Sequence, residues 1–205
     1  MQRIQREGSN HARLLPVYIE DIIHFAAENN LSIDAIALSE GPGSYTGLRI
    51  GTSMAKGLCY GLNVPLIPVP TLQILCAAAL AVHSIDEGWL CPMIDARRME
   101  VYTALYDMTL QSQCEVKACI VENDIWNLQS SVPVYYFGDG AAKCQNILDA
   151  ERYRYIPDIV PEAQFMGELA AQKTVTGFTG ADVAYYEPFY LKEFVAAQSH
   201  VKGLK

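Results

Sequence analysis

Residues 35–62 constrain this chain most tightly. The apolar run 35–38 enters a loop, Gly41-Pro42-Gly43-Ser44, which opens directly into helix-spaced residues 46–62. Gly41 and Gly43 can take positive φ without a Cβ penalty, Pro42 fixes its own φ, and Ser44 or Thr46 can cap the first free N–H groups of the helix. Such a strand-loop-helix passage suits an anion or a close backbone contact. Neither standard nucleotide motif fits it. A Walker A loop requires Lys after its last glycine, but Leu48 follows Gly47 and the nearest lysine is Lys56. The dinucleotide fingerprint requires glycine where Thr46 stands and an acid at the end of the next strand, yet no Asp or Glu occurs between Gly41 and Ile85.

Around the loop, strands and helices alternate. Residues 13–29 carry Leu14, Leu15, Tyr18, Ile19, Ile22, Ile23 and Ala26 at helical spacing despite Pro16, and Asn29-Asn30 marks a stop. A strand at 35–38, a helix at 46–62, a strand at 66–69 and a helix at 72–82 follow. This βαβα order predicts a parallel sheet. From Trp89 the pattern changes to three neighbouring strands at 89–94, 100–106 and 116–121, which fit an antiparallel meander, then a strand at 134–137 and a helix near 162–173. The expectation is an α/β chain of two lobes, residues 1–88 and 89–205, with the tail able to cross back. Within the helix at 46–62, Gly47, Gly51 and Ala55 repeat every four residues and form a smooth stripe. Each interior glycine costs about 1 kcal/mol relative to alanine, so the stripe is expected to admit a closely packed neighbour. Spacing leaves two neighbours open: the chain's own sheet, or a second protein.

Composition narrows the function classes. The 205 residues are 51% hydrophobic, ample for a packed core. With 15 Lys and Arg against 23 Asp and Glu, the net charge of -8 argues against an intrinsic nucleic-acid surface. Cys59, Cys76, Cys91, Cys114, Cys119 and Cys144 are scattered without C-x-x-C pairs and read as reduced thiols of a cytoplasmic protein. His11, His24, His83 and His200 form no H-x-x-x-H or HExxH pair, so no metal site is expected. Asp95, beside Arg97 and Arg98, could form an acid/base pair with Glu100, although no nucleophile stands at a matching spacing and turn aspartates are common at strand ends. Neither an export signal nor a membrane span is evident.

Several blocks together resemble one family. GPGSYTGLRIG at 41–51 with AKGL at 55–58, SNHARLLP at 9–16, PVPTL at 68–72, IDARRMEVYTALYD at 94–107 and EPFYLKE at 187–193 are similar, in the same order, to the TsaB family of bacterial tRNA threonylcarbamoyladenosine biosynthesis proteins, also called YeaZ-like. The resemblance implies a two-lobed fold of the actin, sugar kinase and Hsp70 type, related to ribonuclease H. It further implies a non-catalytic partner of TsaD, the transferase that modifies adenosine 37 of tRNA and, unlike this chain, carries a metal-binding H-x-x-x-H. By the same resemblance the ATPase TsaE joins the assembly, tRNA is met indirectly, the free protein forms a homodimer, and ATP or ADP is expected only in the assembled complex, with no intrinsic cofactor. Leu14, Tyr18, Gly47, Gly51 and Ala55 would lie at the partner surface. The loop residues Gly41, Pro42, Gly43, Ser44, Thr46, Gly47 and Arg49 would lie near that surface or a nucleotide. Family members begin with a strand and hairpin not found here, so the first lobe is expected to be incomplete at its N-terminus, leaving 35–38 as an open parallel edge. Two other classes are weighed beside this one: a sugar-kinase-like ATP enzyme, which would bind Mg-nucleotide at the glycine loop, and a peptidase, for which no Ser-His-Asp, Cys-His or zinc set is present.

Overall fold

Glycine and proline punctuation divides the first half of the chain into short parallel units. In the computed structural model, which describes residues 1–5, 11–128, 132–173, 178–179 and 181–192, α1 (His11–Glu28) leads to β1 (Ile36–Ser39), α2 (Tyr45–Leu62), β2 (Leu66–Val69) and α3 (Thr71–Val82). β1 and β2 pair in parallel, Ile36 opposite Leu66 and Ser39 opposite Val69. α2 ends at Asn63, whose left-handed backbone (φ 54°) lets its N–H reach the Cys59 carbonyl, and Pro65 two residues on prevents continuation. Among the described residues, β1 pairs with β2 alone.

The second half forms a five-stranded sheet. β3 (Trp89–Asp95), β4 (Glu100–Thr103), β5 (Lys117–Ile120), β6 (Val134–Phe137) and β7 (Tyr153–Tyr155) lie in the order β5-β4-β3-β6-β7. The β3-β4-β5 meander is antiparallel, as the sequence suggests, whereas β6 and β7 join β3 in parallel. The strand expected over 100–106 stops at Thr103, and Tyr106 resumes contact as a single bridge to Leu90. The helix expected over 162–173 is a 3-10 turn (Ala163–Met166) followed by α4 (Gly167–Lys173). Three elements were not expected from the sequence, a 3-10 turn (Ala142–Cys144), β7 and α5 (Ala181–Tyr185); at three to five residues they are too short for a periodicity to show.

α3 lies at the centre. Its sequence, TLQILCAAALAV, has no charged residue and is apolar on all sides, the pattern of a helix covered on more than one face. Leu72, Leu75, Cys76 and Ala79 pack with Leu90, Ile94, Phe137 and Ile156 of the five-stranded sheet and its flank. Ile74 packs instead with Ile67, Val69, Met166 and Leu169. Alternation along β3 sends Cys91 and Met93 to the opposite face, against Val101, Val134, Tyr136 and Tyr153. α3 therefore belongs as much to the second half as to the first.

The turn after β6 closes on the end of β3. Gly138 has φ +107°, and a Cβ there would stand 2.3 Å from the Met93 carbonyl oxygen, to which Gly140 N–H also donates at 3.0 Å. Gly138→Ala is expected to lower stability by about 1–3 kcal/mol through the backbone alone, and further through the contact with Met93. Urea unfolding of the two proteins measures this.

Candidate functional site

The glycine loop is held from two sides. Gly41, at φ +115°, donates its N–H to Thr71 Oγ1 at 3.1 Å and accepts the Thr71 N–H at 2.9 Å. Thr71 Oγ1 also lies 2.7 Å from Ser39 Oγ, so the buried first residue of α3 fixes both the end of β1 and the start of the loop. From behind, Phe189 N–H donates to the Glu40 carbonyl at 2.8 Å, and the Phe189 carbonyl oxygen would stand 2.5 Å from any Cβ at position 41. Gly41 is glycine because of that approach and its φ. Gly43 differs: a Cβ there would meet nothing within 4 Å among the described residues. Ser44 caps α2 by accepting the Gly47 N–H at 3.4 Å.

These elements frame a groove of about 680 Å³ between α1, the start of α2 and the ends of β1 and β3. Leu14 and Tyr18 line it from α1, Pro42, Gly43 and Ser44 from the loop, and Gly47 and Gly51 from α2, so seven of the residues singled out in the sequence share one concavity. Ile94, Asp139 and Pro161 close the far side. Four others lie elsewhere. Gly41 is buried beneath the loop and Thr46 is exposed on the first turn of α2. Arg49 turns from the groove, its guanidinium 5.3 Å from the Tyr45 ring centroid and donating to Tyr45 Oη at 3.2 Å. Ala55 is only 5% exposed and packs with Cys59, Leu66, Val183 and Tyr186. Leu38 Cδ1 stands 3.4 Å from where a Gly51 Cβ would be. The small-residue stripe thus faces β1 and the groove.

Sequence reasoning passed over Thr71 and Asp139. Thr71 stood within the PVPTL block, and Asp139 lies between two glycines in the turn after β6, where it accepts the Asp95 N–H at 2.9 Å. Asp95 and Glu100 are drawn into ion pairs, Asp95 with Lys143 and Glu100 with Lys192, and Lys143 Nζ also donates to the Glu100 carbonyl at 2.8 Å. These contacts tie the β3-β4 hairpin to residues after β6 and to the segment after α5. Burial pushes the Cys91 thiol up to about 12, countered in part by a hydrogen bond shared with Thr103 and one from Trp126, so it stays protonated. Among the described residues no three His, Cys, Asp or Glu side chains gather as a metal site, and no helix is long and apolar enough to cross a membrane. The His11 side chain and His200 lie outside the described residues.

Two outcomes test this geometry. Thr71→Val removes the acceptor for Gly41 N–H and the partner of Ser39, and is expected to cost about 1–3 kcal/mol in thermal or urea unfolding. Burial raises the Glu40 carboxyl above its ordinary range, offset partly by the Lys173 charge. The folded chain therefore holds that proton to higher pH than the unfolded chain does. Its stability is complete below the ordinary carboxylate pKa and declines as pH rises through the raised one. Glu40→Gln should melt higher than the natural protein near neutral pH, with the gap closing in acid.

Comparison with known proteins adds the lineage. Residues 6–196 match the family model described as TsaD: tRNA N6-adenosine threonylcarbamoyltransferase. The tRNA threonylcarbamoyladenosine biosynthesis protein TsaB of Escherichia coli (strain K12) is 30% identical over 203 residues, covering 90% of this chain and 81% of that protein. TsaB of Haemophilus influenzae is 38% identical over 90 residues, 44% of this chain, and TsaB of Bacillus subtilis 45% identical over 74 residues, 36% of this chain; the matches span 37% and 31% of those proteins. The solved structure of YeaZ from Pseudomonas aeruginosa superposes with a TM-score of 0.74 at 25% identity, covering 90% of this chain and 87% of that one. The mixed α/β architecture agrees with the actin, sugar kinase and Hsp70 type of fold. By matched length, ordered sequence blocks and fold, the chain belongs to the TsaB and YeaZ family of tRNA threonylcarbamoyladenosine biosynthesis proteins.

Proposed function

We propose that the chain is a non-catalytic scaffold that pairs with a TsaD threonylcarbamoyltransferase and supports N6-threonylcarbamoyl modification of adenosine 37 in tRNA. The observation that carries this reading is the outer face of α1 and α2. Val17, Ile22 and Phe25 on α1 are 49%, 38% and 37% exposed, large apolar side chains open to solvent. On α2, a Cβ at Gly57 or Gly61 would meet nothing within 4 Å. Each of these glycines costs about 1 kcal/mol relative to alanine, and no contact among the described residues requires it. A second backbone packed on this face supplies the missing reason. A depression of about 510 Å³ lined by Ala12, Ile50, Met54, Gly57 and Leu58 gives it a seat.

In this reading the same face pairs two copies of the free protein, and TsaD replaces one of them. Leu14, Tyr18, Gly47 and Gly51 border the inner side of the interface along the groove, and Ala55 supports α2 from beneath. TsaE joins the assembly, ATP or ADP is held only once it has formed, and the net charge of -8 leaves most tRNA contact to other subunits of a cytoplasmic complex. The ion pairs of Asp95 and Glu100 support a structural role for both carboxylates.

Phe25→Glu and Gly57→Arg place charge on the face without disturbing buried contacts. Each is expected to weaken binding to TsaD by roughly 100-fold, about 2.7 kcal/mol, in calorimetric titration, while Ile120→Glu on the edge strand β5 binds as before. Undiminished binding by both face variants would overturn the assignment.

A further inference from the structure

β1 keeps one edge without a partner. The Ile36 N–H donates to the Pro65 carbonyl at 2.9 Å and the Glu40 N–H to the Val69 carbonyl at 3.0 Å, so in this parallel ladder the even-numbered residues face β2. Ala37 and Ser39 turn their backbone N–H and C=O groups the other way, where nothing among the described residues pairs with them. The outer edge of β2 differs, because Leu66 exchanges two hydrogen bonds with Phe178 there. An unpaired edge is a template for another strand.

The groove of about 680 Å³ lies beside this edge: Ser39 lines it, and Ala37 is exposed. Helices cover both faces of the β1-β2 pair. Ile36, Leu38 and Leu66 pack with Ala55 and Cys59 of α2 on one face, and Ile67 and Val69 pack with Ile74 of α3 on the other. Leu48 of α2 with Leu14 and Leu15 of α1, and Leu75 of α3 with Ile94, extend these two layers along the groove. A strand laid against β1 would be covered on both faces, and such a strand is apolar at successive positions rather than at alternate ones. Charge narrows the occupant further. Asp139 is the one charged side chain in the lining; Asp95 has Lys143, but Asp139 forms no ion pair among the described residues. The β1 edge of a second copy is walled in by its own α1 and α2, so the occupant is a free extended segment. We propose that the groove receives such a segment from another protein by strand addition: about four apolar residues, matching the length of β1, paired to Ala37 and Ser39 and carrying a cationic residue at the end that meets Asp139. The site does not depend on whether the outer α1-α2 face binds TsaD.

The probe is the peptide acetyl-Lys-Val-Ile-Val-Ile-amide, titrated into the full isotope-labelled chain and followed by NMR. Binding should be saturable and should slow hydrogen exchange at the Ala37 and Ser39 amides. Ala37→Pro removes one outward donor and leaves the pairing of Ile36 and Leu38 with β2, since a free edge tolerates proline; it should weaken the peptide by roughly tenfold or more. Of two peptides N-methylated at alternate amides, the one blocked in the phase that faces β1 should lose binding and the other should keep it. That pair separates strand addition from apolar capture and keeps the test decisive if Ala37→Pro does not fold. Glu in place of the peptide's Lys should weaken binding, and Asp139→Asn, which keeps an acceptor for the Asp95 N–H, should remove that preference. No saturable binding, equal behaviour of the two N-methylated peptides, natural affinity in a folded Ala37→Pro, or an unchanged charge preference in Asp139→Asn would overturn the proposal.

Discussion

α3 is the element on which the remaining structure depends. Its charge-free sequence is buried or partly buried from Thr71 to Leu80, covered by the five-stranded sheet through Leu72, Leu75 and Ala79 and by β2 and α4 through Ile74. Hydrophobic burial of this kind fixes how the two halves of the chain meet. Thr71, the first residue of the same helix, then fixes the glycine loop by exchanging two hydrogen bonds with Gly41 and meeting Ser39. One helix thus joins the core to the groove, and a disturbance of its packing should be felt at the loop.

The groove and the outer helical face are two sides of one construction. A Cβ at Gly51 would meet Leu38 Cδ1 at 3.4 Å, an ordinary contact, so α2 packs on β1 there without requiring glycine. Gly57 and Gly61 have no such neighbour, and they lie on the helix that also carries the exposed depression beside α1. Gly57 and Gly61 are what the scaffold reading needs, because no contact among the described residues offsets their cost of about 1 kcal/mol each.

Much of this was legible in the sequence where local chemistry determines the outcome. Pro65, Pro70 and the loop glycines punctuate β1, α2, β2 and α3, and those elements fall within one or two residues of expectation. The meander was readable from apolar runs separated by turns. Other features rest on contacts between residues distant in sequence. That Phe189 would back the loop, that Lys143 and Lys192 would reach Asp95 and Glu100, and that β6 would lie parallel to β3 are consequences of packing. The four-residue repeat of Gly47, Gly51 and Ala55 showed a smooth row without its direction around the helix, and tertiary packing turned that row inward.

Hydrogen-deuterium exchange of the chain alone and mixed with TsaD tests the central claim most directly, since it reads the whole backbone in one experiment. The account predicts slowed exchange on addition of TsaD in α1 and in the Gly57 half of α2, with β5 and β7 unchanged. Protection confined to the five-stranded sheet, with α1 and α2 exchanging as in the free chain, would contradict it.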